Sequence, residues 1–113
     1  TEAFYDREFG EEAPDSGCMW EDPSCPLSKV FLSDMKTIRT TAPKASEVTV
    51  PWLFIHGTED DVVPIEDSRE IFALANDPKK LVEIPGTDHV FSEDGLEPMS
   101  EAVIAWLGDT LRR

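Results

Sequence analysis

Apolar residues along this chain recur in two ways, at helical spacing and in short continuous runs. From Ser28 the spacing is helical: Phe31, Met35 and Ile38 lie at i, i+4 and i+7, with Lys29, Lys36 and Arg39 on other faces. Thr40-Thr41-Ala42-Pro43 is expected to end that helix and open a short helical turn through Ala45. Trp52-Leu53-Phe54-Ile55 is continuous instead, which predicts a strand buried on both faces, as in a parallel sheet; Pro51 suits the first position of such a strand. A helix is predicted from about Glu66 to Asn76. Glu66, Asp67 and Glu70 complement its N-terminal dipole, Ile71, Phe72 and Ala75 form its inner stripe, and Asn76-Asp77-Pro78 stops it. Leu81-Val82-Glu83-Ile84 reads as a second strand, stopped by Pro85-Gly86. A last helix is expected from near Pro98, with Met99, Val103, Leu107 and Leu111 as its seam and Arg112 and Arg113 at its cation-favouring end.

The order from Val50 is strand, helix, strand, helix, the pattern of a right-handed parallel crossover unit with a closing helix, so the fold class is α/β. Two parallel strands alone do not make a stable open sheet, and the strand at 52–55 needs a neighbour on its other side. Residues 28–113 therefore read as the C-terminal part of a larger sheet. The expected partner is a missing N-terminal half, or a second copy pairing through the sheet edge. Residues 1–27 are acidic, rich in Pro, Gly and Ser and weakly periodic, and read as an irregular, cap-like segment.

Ligands of open parallel sheets bind beyond the carboxyl ends of the strands. Asp60 and His89 both fall in loops leaving such ends. A carboxylate there can accept a hydrogen bond from imidazole Nδ1, fix the tautomer and stabilise the imidazolium formed when Nε2 takes a proton from a nucleophile. Asp61, one residue along, is the rival acid, and Glu59 reads as a solvated turn residue. His56 reads as structural, its ring holding the strand-end turn, and Gly57 as permitting a tight turn.

His56-Gly57-Thr58-Glu59-Asp60-Asp61-Val62-Val63-Pro64 and Pro85-Gly86-Thr87-Asp88-His89 resemble the acid and histidine motifs of the α/β-hydrolase superfamily. They are most similar to its serine esterase and peptidase-like members, such as the feruloyl/cinnamoyl-esterase and dienelactone-hydrolase groups. The resemblance spans about Ser28 to Leu111. It implies a triad in the chain order Ser, Asp, His, with Asp60 as acid and His89 as base, no cofactor, and a small-molecule carboxylic ester, or less readily an amide, as substrate. None of the eight serines has glycine on both sides in the Gly-x-Ser-x-Gly pattern. The resemblance therefore implies that nucleophile and oxyanion hole lie upstream of Thr1, and the chain alone is expected to hydrolyse little. Trp20, Phe31, Met35, Val62, Val90 and Phe91 fit an acyl or aryl pocket and fit core packing equally well.

The formal net charge is −14, and half of it sits in residues 1–22, where eight acids face one base. Such a surface repels phosphate backbones, which excludes nucleic acid as an expected partner. No apolar run approaches membrane-spanning length, so no membrane partner is expected. The chain opens Thr1-Glu2-Ala3, with neither methionine nor a signal-peptide pattern; a start inside a longer reading frame, or processing, and a cytoplasmic location are expected. Cys18 and Cys25 have no histidine near them to complete a zinc site; they read as two free thiols, with a local disulfide as the alternative. Glu59-Asp60-Asp61 lacks calcium-loop spacing, and no metal is expected.

Overall fold

The structure is a computed structural model that describes residues 29–112. The expectations for residues 1–28, including Trp20, Cys18 and Cys25, and for Arg113 lie outside that range. The chain divides into two compact units at Thr41/Ala42. In the first, α1 (Lys29–Ile38) carries the spacing set by Phe31, Met35 and Ile38. It ends earlier than the Thr40–Pro43 stretch: Arg39 takes a left-handed φ of 60° and donates its N–H to Met35 O at 2.8 Å, which closes the last turn.

The second unit begins with a 3-10 helix, Ala42–Glu47, that buries Ala42 and Ala45. It continues through β1 (Trp52–Gly57), α2 (Ile65–Leu74), β2 (Lys79–Ile84), a 3-10 turn at Glu93–Gly95 and α3 (Leu96–Leu111). β1 and β2 pair in parallel from Trp52↔Lys79 to Gly57↔Ile84, with α2 as the crossover. This is the α/β arrangement expected from the order of the runs. Both strands are longer than their apolar stretches: His56 and Gly57 extend β1 opposite Glu83 and Ile84, and Lys79 and Lys80 extend β2 opposite Trp52 and Leu53.

Alternation along β1 turns Trp52, Phe54 and His56 to one face. Trp52 stacks on Phe54 with ring centroids 4.5 Å apart, and Phe54 meets Phe72 of α2 edge-on at 5.7 Å. Around these rings Ala45, Ala75, Ile71 and Leu81 complete the core. Burial of β1 is less complete than a strand covered on both faces requires. Phe54 is buried while Trp52, Leu53 and Ile55 are half-buried, since among the described residues β1 has a strand on one side only. Asn76 ties the 3-10 helix to the end of α2, its amide donating to Ser46 O at 2.7 Å and Val48 O at 2.9 Å.

The seam expected on the last helix is half right. Met99 and Val103 face inward, but Leu107 and Leu111 are 48% and 81% exposed, and Ala102, Trp106 and Thr110 occupy the inner stripe instead. Steps of four residues overshoot a full turn by about 40° each, so three such steps leave the face they began on, whereas mixed steps of three and four stay on it.

Candidate active site

The site grows from the carboxyl ends of both strands. After Gly57 the chain folds back, with Asp60 N–H donating to Gly57 O at 3.3 Å. Asp60 Oδ1 then accepts the N–H groups of Val62 (2.9 Å) and Val63 (2.8 Å), an Asx turn that aims the chain at Pro64 and the start of α2. The loop after β2 is sewn to this turn. Thr58 N–H donates to Ile84 O and Glu59 N–H to Thr87 O, both at 3.0 Å, while Gly86 N–H donates to Thr58 Oγ1 at 2.9 Å. Gly86 has φ 70°, a conformation that favours glycine. Ser92 N–H donates to Asp88 Oδ1 at 2.8 Å and closes the other side of the His89 turn.

Gly57 serves a purpose different from the tight turn expected of it. It is the last residue of β1, and a Cβ there would stand 2.1 Å from Thr87 O. The glycine is required because the two loops touch backbone to backbone.

These turns bring Asp60 and His89 together. His89 Nδ1 donates to Asp60 Oδ2 at 2.9 Å. A hydrogen on Nδ1 leaves Nε2 as the lone-pair nitrogen of the neutral ring. The carboxylate is 5% exposed and the imidazole 46%, so the acid is enclosed while the ring reaches solvent. Burial alone would push the Asp60 carboxyl up; the amides of Val63 and Val62 and the His89 ring outweigh it and hold the group below the ordinary aspartate value. Asp61 and Glu59 are exposed, Val62 and Phe91 are half-buried, and Val90 is 71% exposed.

A second histidine joins the same acid. The His56 ring is 7% exposed; its Nε2 donates to Val63 O at 2.9 Å and lies 3.1 Å from Asp60 Oδ2. Its Nδ1 is 2.6 Å from Ser68 Oγ on α2. The turn-holding part expected of His56 matches this geometry. Ser68 was not anticipated, and its position in the sequence carries no sign of the contact. An open cleft of about 540 Å³ bounded by Val82, Ile84, Thr87 and Pro98 is lined by neither Asp60 nor His89. Among the described residues no cluster of His, Cys, Asp and Glu has the arrangement of a metal site, and no helix is long and apolar enough to cross a membrane.

Residues 22–94 match the family described as serine aminopeptidase, S33. The uncharacterised protein YfhR of Salmonella typhi is 43% identical over 51 residues, covering 45% of this chain and 18% of YfhR. The uncharacterised protein Rv2307c of Mycobacterium tuberculosis is 34% identical over 90 residues, 78% of this chain and 30% of that protein. Est1E from Butyrivibrio proteoclasticus, with ferulic acid bound, matches with a TM-score of 0.74 and 28% identity over 91% of this chain and 39% of its own. A further Est1E structure matches with a TM-score of 0.75 and 26% identity over 99% of this chain and 46% of its own. The chain thus spans less than half the length of each of these relatives. With 22–94 holding both the Asp60 turn and the His89 loop, the chain belongs to the S33 serine aminopeptidase family of the α/β-hydrolase superfamily.

Proposed function

We propose that this chain contributes the acid and the base of a Ser-Asp-His triad that hydrolyses carboxylic esters, the serine coming from a segment outside Thr1–Arg113. The observation that carries this reading is the 2.9 Å bond from His89 Nδ1 to an enclosed Asp60 carboxylate, with the ring open to solvent. Nε2 of His89 takes the serine hydroxyl proton as Oγ attacks the ester carbonyl and passes it to the leaving alkoxide. Water then attacks the acyl-enzyme with His89 as base, releasing the acid and the serine. Asp60 holds the ring in the productive tautomer and faces the imidazolium with a negative charge. Ferulic acid bound to Est1E supports an aryl-substituted acyl group as the substrate class; the S33 family description keeps amides as the secondary substrate.

The test is turnover of an activated short-chain ester by the full-length protein. His89→Ala is expected to lower kcat by at least about a thousandfold with the fold unchanged. Intact turnover would overturn the base assignment.

A second reading rests on β1, which has one strand neighbour among the described residues. In it the chain is a non-catalytic subunit that pairs through this sheet edge with another chain. A solution mass that stays monomeric at every concentration would count against pairing with a second copy.

A further inference from the structure

Asp60 has a support that the triad does not account for. Asp60 Oδ1 accepts the N–H of Val63, and the carbonyl of the same residue accepts from His56 Nε2 at 2.9 Å. Val63 is therefore gripped at both its amide and its carbonyl. Nε2 of His56 faces two acceptors, Val63 O and, at 3.1 Å, Asp60 Oδ2. That nitrogen must carry the hydrogen, because a lone pair aimed at a carbonyl and a carboxylate would be repelled by both. Nδ1 of the neutral ring is then an acceptor, and the group 2.6 Å from it is the Ser68 hydroxyl, which can donate. At 7% exposure His56 lies out of a substrate's reach, so a Ser68–His56 pair does not serve as a second nucleophile and base.

We propose that Ser68 and His56 are positioning residues: Val63 O and Asp60 Oδ2 set the Nε2–H tautomer of His56, the Ser68 hydroxyl anchors the ring through Nδ1, and His56 in turn fixes the Asp60 carboxylate that orients His89. The inference rests on the reading of Asp60 and His89 as acid and base, and it adds to that site two residues on α2 and β1. Both histidines then bear on Asp60 Oδ2 in opposite tautomers, His56 through Nε2–H and His89 through Nδ1–H. Loss of the Ser68 donor leaves the buried Nδ1 without its partner, so the ring is held at Nε2 alone and its grip on Oδ2 and Val63 O loosens.

Two measurements test this. Long-range 1H–15N correlation spectra of the full-length protein report which nitrogen of the His56 and His89 imidazoles carries the hydrogen. The expected result is Nε2–H for His56 and Nδ1–H for His89. In Ser68→Ala the His56 Nδ1 resonance shifts as its hydrogen-bond donor is lost and the hydrogen-bonded Nδ1 proton of His89 shifts upfield; in Ser68→Thr, which keeps a hydroxyl, both return. In the full-length protein Ser68→Ala is expected to lower kcat about tenfold with KM unchanged, and Ser68→Thr to restore it. A His56 found as Nδ1–H in the unsubstituted chain, or His56 and His89 spectra unchanged in Ser68→Ala, would overturn the inference. The two readings fail separately. Imidazole shift changes in Ser68→Ala of a protein that hydrolyses no ester leave the positioning network standing without the hydrolase, whereas a loss of turnover in His89→Ala alone keeps the hydrolase and removes Ser68 and His56 from it.

Discussion

Asp60 concentrates most of the site's electrostatics in one carboxylate. Two amides bind Oδ1, and two imidazole nitrogens lie within 3.1 Å of Oδ2. The net effect is a pKa below the ordinary 3.8 despite burial, which links the group to stability. A carboxyl whose folded pKa is depressed contributes stability that is present above the ordinary value and fades as pH falls through the lower folded one. The thermal midpoint is therefore expected to drop between about pH 5 and about pH 2, and Asp60→Asn to flatten that drop. It will not abolish it. Asp88, through its bonds to Ser92, and Glu83, through Arg69, are lowered as well. Equal slopes for the variant and the unsubstituted chain would show that Asp60 is not held as described.

At the scale of elements, α2 is fastened to β2 by charge at its middle and at its C-terminal end. Arg69 makes a two-pronged bond to Glu83 at 2.7 and 3.1 Å. Lys79 donates to the last carbonyls of the helix, Phe72 O at 2.7 Å and Ala75 O at 2.8 Å, with its ammonium 4.6 Å from the Phe72 ring centre. Lys79→Met keeps the stem and loses these bonds, and is expected to cost about 1–2 kcal/mol in urea unfolding, since the group is only half-buried. The elements themselves were legible because periodicity is a local property: α1, α2 and both strands lie within a few residues of where their apolar spacing puts them. The Lys79 clamp was not, because its meaning depends on a helix end brought across from seven residues earlier. Asp60 and His89 were legible as motifs. Ser68 was not, since nothing in a linear reading joins it to a histidine twelve residues away, and Gly57 was misread because its requirement lies in Thr87, thirty residues on.

Across the whole molecule the acidic excess dominates, at a net −14. Like charges destabilise a compact state, and mobile ions screen them over about 10 Å at 0.1 M salt. The thermal midpoint is expected to rise by a few degrees from dilute buffer to about 0.5 M sodium chloride, a salt chosen to limit surface-exclusion effects. A fall would mean that attractive pairs such as Arg69–Glu83 outweigh the repulsion. The closeness of Gly57 to Thr87 has a consequence for how such proteins can vary. With one loop's backbone pressed on the other's and Glu59 bonded to Thr87, neither loop can gain or lose a residue alone without parting His89 from Asp60. Lineages carrying this pair should keep both spacings, Gly57 to Asp60 and Thr87 to His89, free of insertions and deletions. Diversification of substrate preference would then fall to segments that are not coupled in length.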